Sequence, residues 1–246
     1  EADIAGYSAV QLFVERARRM RRGFSLAAEA ADVVAICQMV EGMPLALELA
    51  AAWTQSLSCR AIADEIRNNL DFLSTEWSNV PDRQRSMRAV FDHARSLLSS
   101  NEQEVFRRMS VFRGGFHRKA AEFVAGASLA TLGSLVSHCL LRWAPVGRYQ
   151  LHELLRQYAE ELLRESPEEK AAIDERHCIY YTDLLYKRLP QLLGSGQLEA
   201  VRVIEDELEN IHVAWQYAVE KRKIEAIRKS IQAFSLSYEY RSRHVD

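Results

Sequence analysis

The apolar residues of this chain return every three or four positions over most of its length and alternate only in two short runs. That spacing gathers them on helix faces, so the chain is constrained to a mainly helical fold with room for only a small β-hairpin. Met87, Val90, Phe91, Ala94, Leu97 and Leu98 give the cleanest face. Ser8 to Arg22 and Leu26 to Val40 repeat the pattern, stopped by Gly23 and by Glu41-Gly42. Leu45 to Trp53 is apolar almost all round, which predicts a helix buried among others. In front of it, Gly42-Met43-Pro44 reads as a corner between helices. Glycine suits the left-handed residue after one helix, and proline the first position of the next, where its missing N–H costs nothing. Ser58 to Ile66 makes another short helix, and the polar stretch Ser74 to Arg85, containing Pro81, predicts a domain boundary near Asp82.

Beyond that boundary, Ser99 and Glu102 stand at capping-box spacing and open a helix carrying Val105, Phe106, Met109 and Phe112. Two further helices follow, the first ending at Gly126 and the second running from Ser128 to His138. Leu140 to Trp143 and Tyr149 to Leu151 then read as two short strands around a turn with Pro145 and Gly147. Several helices followed by a hairpin is the order of a winged helix. From Pro167 the chain is helical again, with Pro190 expected to end one long helix and Gly194-Ser195-Gly196 to form a turn. The helices after it look like the first members of a helical solenoid, whose apolar faces need neighbours stacked on them. The expected domains are a helical bundle over 1–81, a winged helix over 82–165 and the start of a TPR-like helical repeat over 166–246.

Composition removes several function classes. A net charge of -2 argues against a surface built throughout for nucleic acid. No apolar run reaches the roughly 18 residues of a membrane span, so no membrane partner is expected. Cys37, Cys59, Cys139 and Cys178 lie too far apart for a ligand cluster and read as small core residues in a reducing compartment, hence a cytoplasmic protein. The chain begins at Glu1 without Met and without a signal-peptide pattern, which suggests a piece of a longer protein.

His152 is the residue with the most chemistry to offer. It sits where the second strand hands over to a helix with Leu154, Leu155, Tyr158 and Leu162 on one face. The first N–H groups of a helix lack partners and favour an anion, so an imidazole there can join them on a phosphate; the plainer reading is a packed or capping residue. Arg16, Arg18, Arg19, Arg21 and Arg22 gather at a helix end, where cations are favoured anyway. A phosphate or acidic-partner patch is the second reading of that cluster. For DNA, the candidate contacts are Arg107, Arg108, Arg113, Arg118 and Lys119, but the helix that would enter the groove carries no Lys or Arg. Glu153, Asp92 and His93 could act as acid or base, yet no nucleophile elbow or metal spacing accompanies them.

Three stretches in order resemble the nucleotide-switch ATPases of the STAND class, the NB-ARC proteins and the bacterial LuxR- and AfsR-type regulators. They are Gly42 to Ala51, Phe106 to Phe116 and Leu151 to Ala159. The resemblance implies a helical lid, a winged helix and a repeat array that together close over a nucleotide and couple it to a sensed partner. It implies that Pro44 packs near the adenine and that His152 contacts the β-phosphate of ADP. The family's Met-His-Asp is here Leu151-His152-Glu153, with a longer carboxylate at the third position. No Gly-x-x-x-x-Gly-Lys-Ser/Thr occurs, so ADP or ATP with magnesium would be held by an upstream nucleotide-binding domain of the same polypeptide, and the fragment is not expected to hydrolyse ATP or bind nucleotide tightly alone. Other implied partners are a protein or small-molecule effector at the repeats and further copies of the parent on activation. Direct DNA binding by this piece is not expected. The competing reading is a winged-helix DNA-binding or protein-interaction scaffold with no nucleotide role.

Overall fold

The computed structural model describes residues 4–74 and 86–243. Among them are thirteen α-helices and one three-stranded antiparallel sheet, a mainly α fold with a small β element. Contacts divide the chain into two compact units, Glu1–Ser99 with His152–Tyr158 and Ser100–Leu151 with Ala159–Asp246. The boundary expected near Asp82 lies outside the described residues.

The first unit holds α1 (Ser8–Met20), α2 (Leu26–Met39), α3 (Pro44–Ala52), α4 (Cys59–Asn68) and α5 (Met87–Ser96). Val10, Phe13, Val14 and Ala17, three and four apart, are the buried face of α1, which packs on α2 and α3. Around α3 the core closes with small side chains: Ala46, Leu47, Ala50 and Ala51 are fully buried, as its sequence requires. The Ser58 hydroxyl caps α4 by accepting the Ala61 N–H at 3.3 Å, and Ser86 caps α5 through Ala89 at 3.1 Å. The helix read as continuous from Leu26 kinks at Glu29, whose φ of -126° is not helical. The kink brings its carboxylate to the Cys59 N–H at 2.8 Å and to the Arg21 guanidinium. Burial works to raise the Glu29 carboxyl, but these bonds to Cys59 and Arg21 outweigh it and hold it below the ordinary value.

The second unit begins with α6 (Ser100–Arg108), β1 (Phe116–His117), α7 (Arg118–Ala125), α8 (Leu129–Ser137), β2 (Arg142–Ala144) and β3 (Arg148–Gln150). Helix, strand, two helices and a hairpin is the winged-helix order, with the sheet running β1-β3-β2 and Tyr149 facing both Phe116 and Trp143. β1 is a strand the sequence pattern does not reveal, because two residues cannot show alternation. β2 also starts later than expected: Leu140 and Leu141 are core residues ahead of the strand. Helix α9 (Glu153–Arg164) starts in the first unit and passes into the second at Ala159.

The rest is helical: α10 (Pro167–Leu193), α11 (Gln197–Asp206), α12 (Leu208–Glu220) and α13 (Ile224–Arg243). α10 is the spine, packed on the three helices after it and on α7. Pro190 does not end α10, contrary to the sequence reading; the helix continues to Leu193. A proline so close to the end forfeits one backbone bond in the last turn, where few remain to be broken. No single helix among the described residues is long and apolar enough to cross a membrane; only α7 and α8 taken together pass on composition, and they meet at a bend of 104°.

Candidate functional site

Pro44 stands where the sequence places it, at the first position of α3, exposed, with Gly42 before it at φ 73°. A Cβ on Gly42 would lie 3.7 Å from Ala9, an ordinary contact, so the left-handed backbone and not crowding calls for glycine there. The helix behind Pro44 is fixed by its buried alanines and by Arg16, which donates to Glu48 at 2.9 Å.

His152 is the N-cap of α9. Its carbonyl accepts the Arg156 N–H at 2.8 Å, and its Nδ1 accepts the Leu154 N–H at 3.1 Å. An imidazole thus fills the place usually taken by Ser, Thr, Asp or Asn. Because Nδ1 is the acceptor, the neutral ring carries its proton on Nε2, an atom shielded from solvent. Next to it, Glu153 receives both Nε and Nη2 of the largely buried Arg156, at 2.8 and 2.7 Å. The Glu153 carboxylate is therefore tied to its own helix, in the first turn where the macrodipole favours it.

The turn carrying His152 is held by side chains that no local sequence pattern pairs. The Tyr158 phenol donates to Asp92 at 2.5 Å, its ring lies 5.7 Å from Phe91, and Arg88 stands over it at 5.9 Å. Burial and the Asp92 carboxylate push that phenol well above its usual range. Gln157 donates to the Arg67 carbonyl at 3.2 Å. Pro44 and His152, about a hundred residues apart in the chain, consequently belong to one compact unit. The only signal for this in the sequence is Tyr158 on the apolar face of α9. Asp92, weighed as an acid or base, has a structural duty on Tyr158, and His93 is exposed on α5.

The basic residues are largely engaged with acids or carbonyls. In the first unit Arg19 pairs with Glu15, Arg21 with Glu29 and Arg16 with Glu48, while Arg18 and Arg22 are exposed. Of the DNA-contact candidates, Arg107 and Arg108 both bind Glu169, at 2.8 and 2.6 Å, and Arg113 donates to the carbonyls of Ser110 and Phe112. Of the five, Arg118 and Lys119 are exposed.

A buried polar network in the second unit was not visible in the sequence. Glu207, between α11 and α12, receives Arg148 of β3 on one oxygen, and on the other the Tyr181 hydroxyl at 3.1 Å and the Asn210 amide at 3.0 Å. Asn210, fully buried, also donates to the Gly115 carbonyl at 2.8 Å and accepts the Arg113 N–H at 2.8 Å. His177 completes it with Nε2 3.5 Å from the Asn210 oxygen. Since that oxygen can only accept, Nε2 carries the proton, and burial pushes His177 down to about 4.

Curated relatives carry the same pattern of sequence. A protein of Mycobacterium tuberculosis and one of Mycobacterium bovis, each named "Putative HTH-type transcriptional regulator", are 35% identical to this chain over 227 residues, 88% of it and 25% of theirs. The chain is similar to part of these regulators. It spans about a quarter of their length. An "Uncharacterized protein" of Mycobacterium tuberculosis is 34% identical over 177 residues, 67% of this chain and 45% of that one. No family model matches the chain, and no solved structure does.

Proposed function

We propose that this chain is the regulatory part of a nucleotide-switched transcription regulator, in which helical lid and winged helix close over ADP or ATP held by an upstream P-loop domain and the C-terminal helices couple that closure to an effector. The observation that carries the reading is the grouping of Pro44 with the His152 turn in one compact unit. Residues expected on the adenine and on the β-phosphate then belong to the same unit. The capping bond adds to it, because an imidazole with Nδ1 on its own helix presents Nε2–H as a donor for a phosphate oxygen. Nε2 is shielded, so closure on nucleotide requires the side chains over it to shift. A regulatory role agrees with the names of the relatives, and the engagement of Arg107 and Arg108 by Glu169 disfavours the reading as a DNA-contacting winged helix.

The test is the nucleotide content of the parent protein after purification and denaturation, for wild type and for His152→Asn. Asparagine keeps a side-chain oxygen to cap α9 but removes the imidazole. Wild type retaining ADP and the variant losing it supports the clamp. Equal content in both, or none in either, overturns it.

A further inference from the structure

A cavity of about 360 Å³ lies within the second unit, enclosed by the turn Met109–Val111 and by α9, α10 and α12. That is near the lower end of the roughly 300–1,000 Å³ of small-molecule sites. Its apolar lining is Val111, Leu163 and Val213. The charged lining has both signs: Arg113 and Lys170 against Glu160, Asp174 and Glu220. Lys170 is paired with Asp174 at 2.6 Å, and the Arg113 guanidinium, held through Nη1 by the Ser110 and Phe112 carbonyls at 2.7 and 3.1 Å, has its Nη2 3.8 Å from Glu160. A simple anion would meet three carboxylates there, and a simple cation would meet a guanidinium and an ammonium. A molecule with one charge of each sign and a short apolar part satisfies all three features of the lining.

We infer that this cavity binds a free amino acid, with its carboxylate at Arg113 and Lys170, its ammonium at the acidic residues, and its side chain on Val111, Leu163 and Val213. The position suits an effector. Arg113, through its N–H, and His177, another wall of the cavity, both reach the Asn210 oxygen. Asn210 and Glu207 in turn hold Gly115 and Arg148, and Arg148 precedes His152 by four residues. Occupancy thus bears on the network that fixes the strand leading to the nucleotide residue. That consequence rests on the nucleotide-switch reading; binding itself does not.

The experiment is a calorimetric titration of the 246-residue chain with each standard L-amino acid at millimolar concentration, with succinate and ethylenediamine as ligands of a single sign. No nucleotide is needed, so the result is separate from the ADP test. Saturable binding of at least one amino acid, absent for both controls and weakened about tenfold by Lys170→Met and by Glu220→Gln, is expected. Glu220 is exposed at the end of α12 and bonded only locally by Gln216, so its variant keeps the fold even if Lys170→Met does not. No binding by any amino acid, equal binding of a control, or unchanged affinity in a variant with the wild-type melting temperature overturns the assignment.

Discussion

The two compact units are held together by different chemistry. Around α3 the first unit buries chiefly alanines and leucines, with the Arg16–Glu48 pair at the edge of that packing. The second unit buries Arg148, His177, Tyr181, Glu207 and Asn210 among the rings of Phe112, Phe116 and Tyr149. An apolar core tolerates small shifts of one helix on another, because no contact depends on direction. A buried polar network permits one arrangement, since any slip leaves charges or amides without partners in a low-dielectric interior. The region that resembles a sensor is therefore locked to the winged-helix sheet by directional bonds, whereas α3, in the region resembling a lid, is held mainly by apolar surface.

The strongest way to break that contrast is at Glu207. Glu207→Leu leaves Arg148 buried without its counter-charge, and Arg148 Nη2 already makes no hydrogen bond among the described residues. The expected loss is about 3–5 kcal/mol by chemical denaturation. Glu207→Leu with Arg148→Met should recover part of it, since both charges are then gone while the Tyr181 hydroxyl and an Asn210 N–H still lack the Glu207 acceptor. Costs that simply add would mean that the pair does not hold the network. Leu47→Ala is the matching test in the first unit: a cavity in an otherwise intact core, costing about 2–4 kcal/mol, with no single partner whose removal restores it.

The network also makes an acid-side signature that the apolar core lacks. His177 titrates near 4 when folded and near its ordinary value of 6.5 when unfolded. Between those values the unfolded chain binds more protons, so stability is complete above pH 6.5 and declines as pH falls towards 4. Near pH 5 the loss should be about 2 kcal/mol relative to neutral pH. His177→Gln, which keeps a donor for Asn210, should flatten the stability profile over this window. The depressed carboxyls of Glu29 and Glu169 begin to matter only below their ordinary 4.5, so the two windows can be separated. A variant with an unchanged slope would place the titration elsewhere.

This difference also explains what could be seen in the sequence. Helix faces such as Val10, Phe13, Val14 and Ala17 were legible because local periodicity is enough to build them. The Gly42-Met43-Pro44 corner and the helix start at His152 were legible for the same reason. The network was not, because Glu207 and Asn210 occupy ordinary-looking positions between apolar repeats and their partners lie up to 97 residues away. Nothing local distinguishes an acid that will be buried against Arg148 from one that will face water. Tyr158 illustrates the intermediate case: its burial could be read from α9, its bond to Asp92 could not.

The smallest expected change in stability belongs to the residue with the largest proposed role. Removing a side-chain cap costs about 1 kcal/mol, so His152→Ala should destabilise the chain by that amount and His152→Asn by only a fraction of it. Ser128→Ala, which removes the Oγ that accepts the Thr131 N–H at 3.0 Å and bonds the Thr131 hydroxyl at 2.9 Å on α8, gives the benchmark for a cap with no proposed nucleotide contact. If His152→Ala costs the same as Ser128→Ala yet abolishes nucleotide retention in the parent, the imidazole has a duty beyond its helix. If it costs much more, and His152→Asn does not restore it, the ring is chiefly a packed core residue. Nucleotide loss in the parent would then reflect unfolding of the turn and not the absence of a phosphate contact. The comparison of the two variants on both readouts decides between these roles for His152.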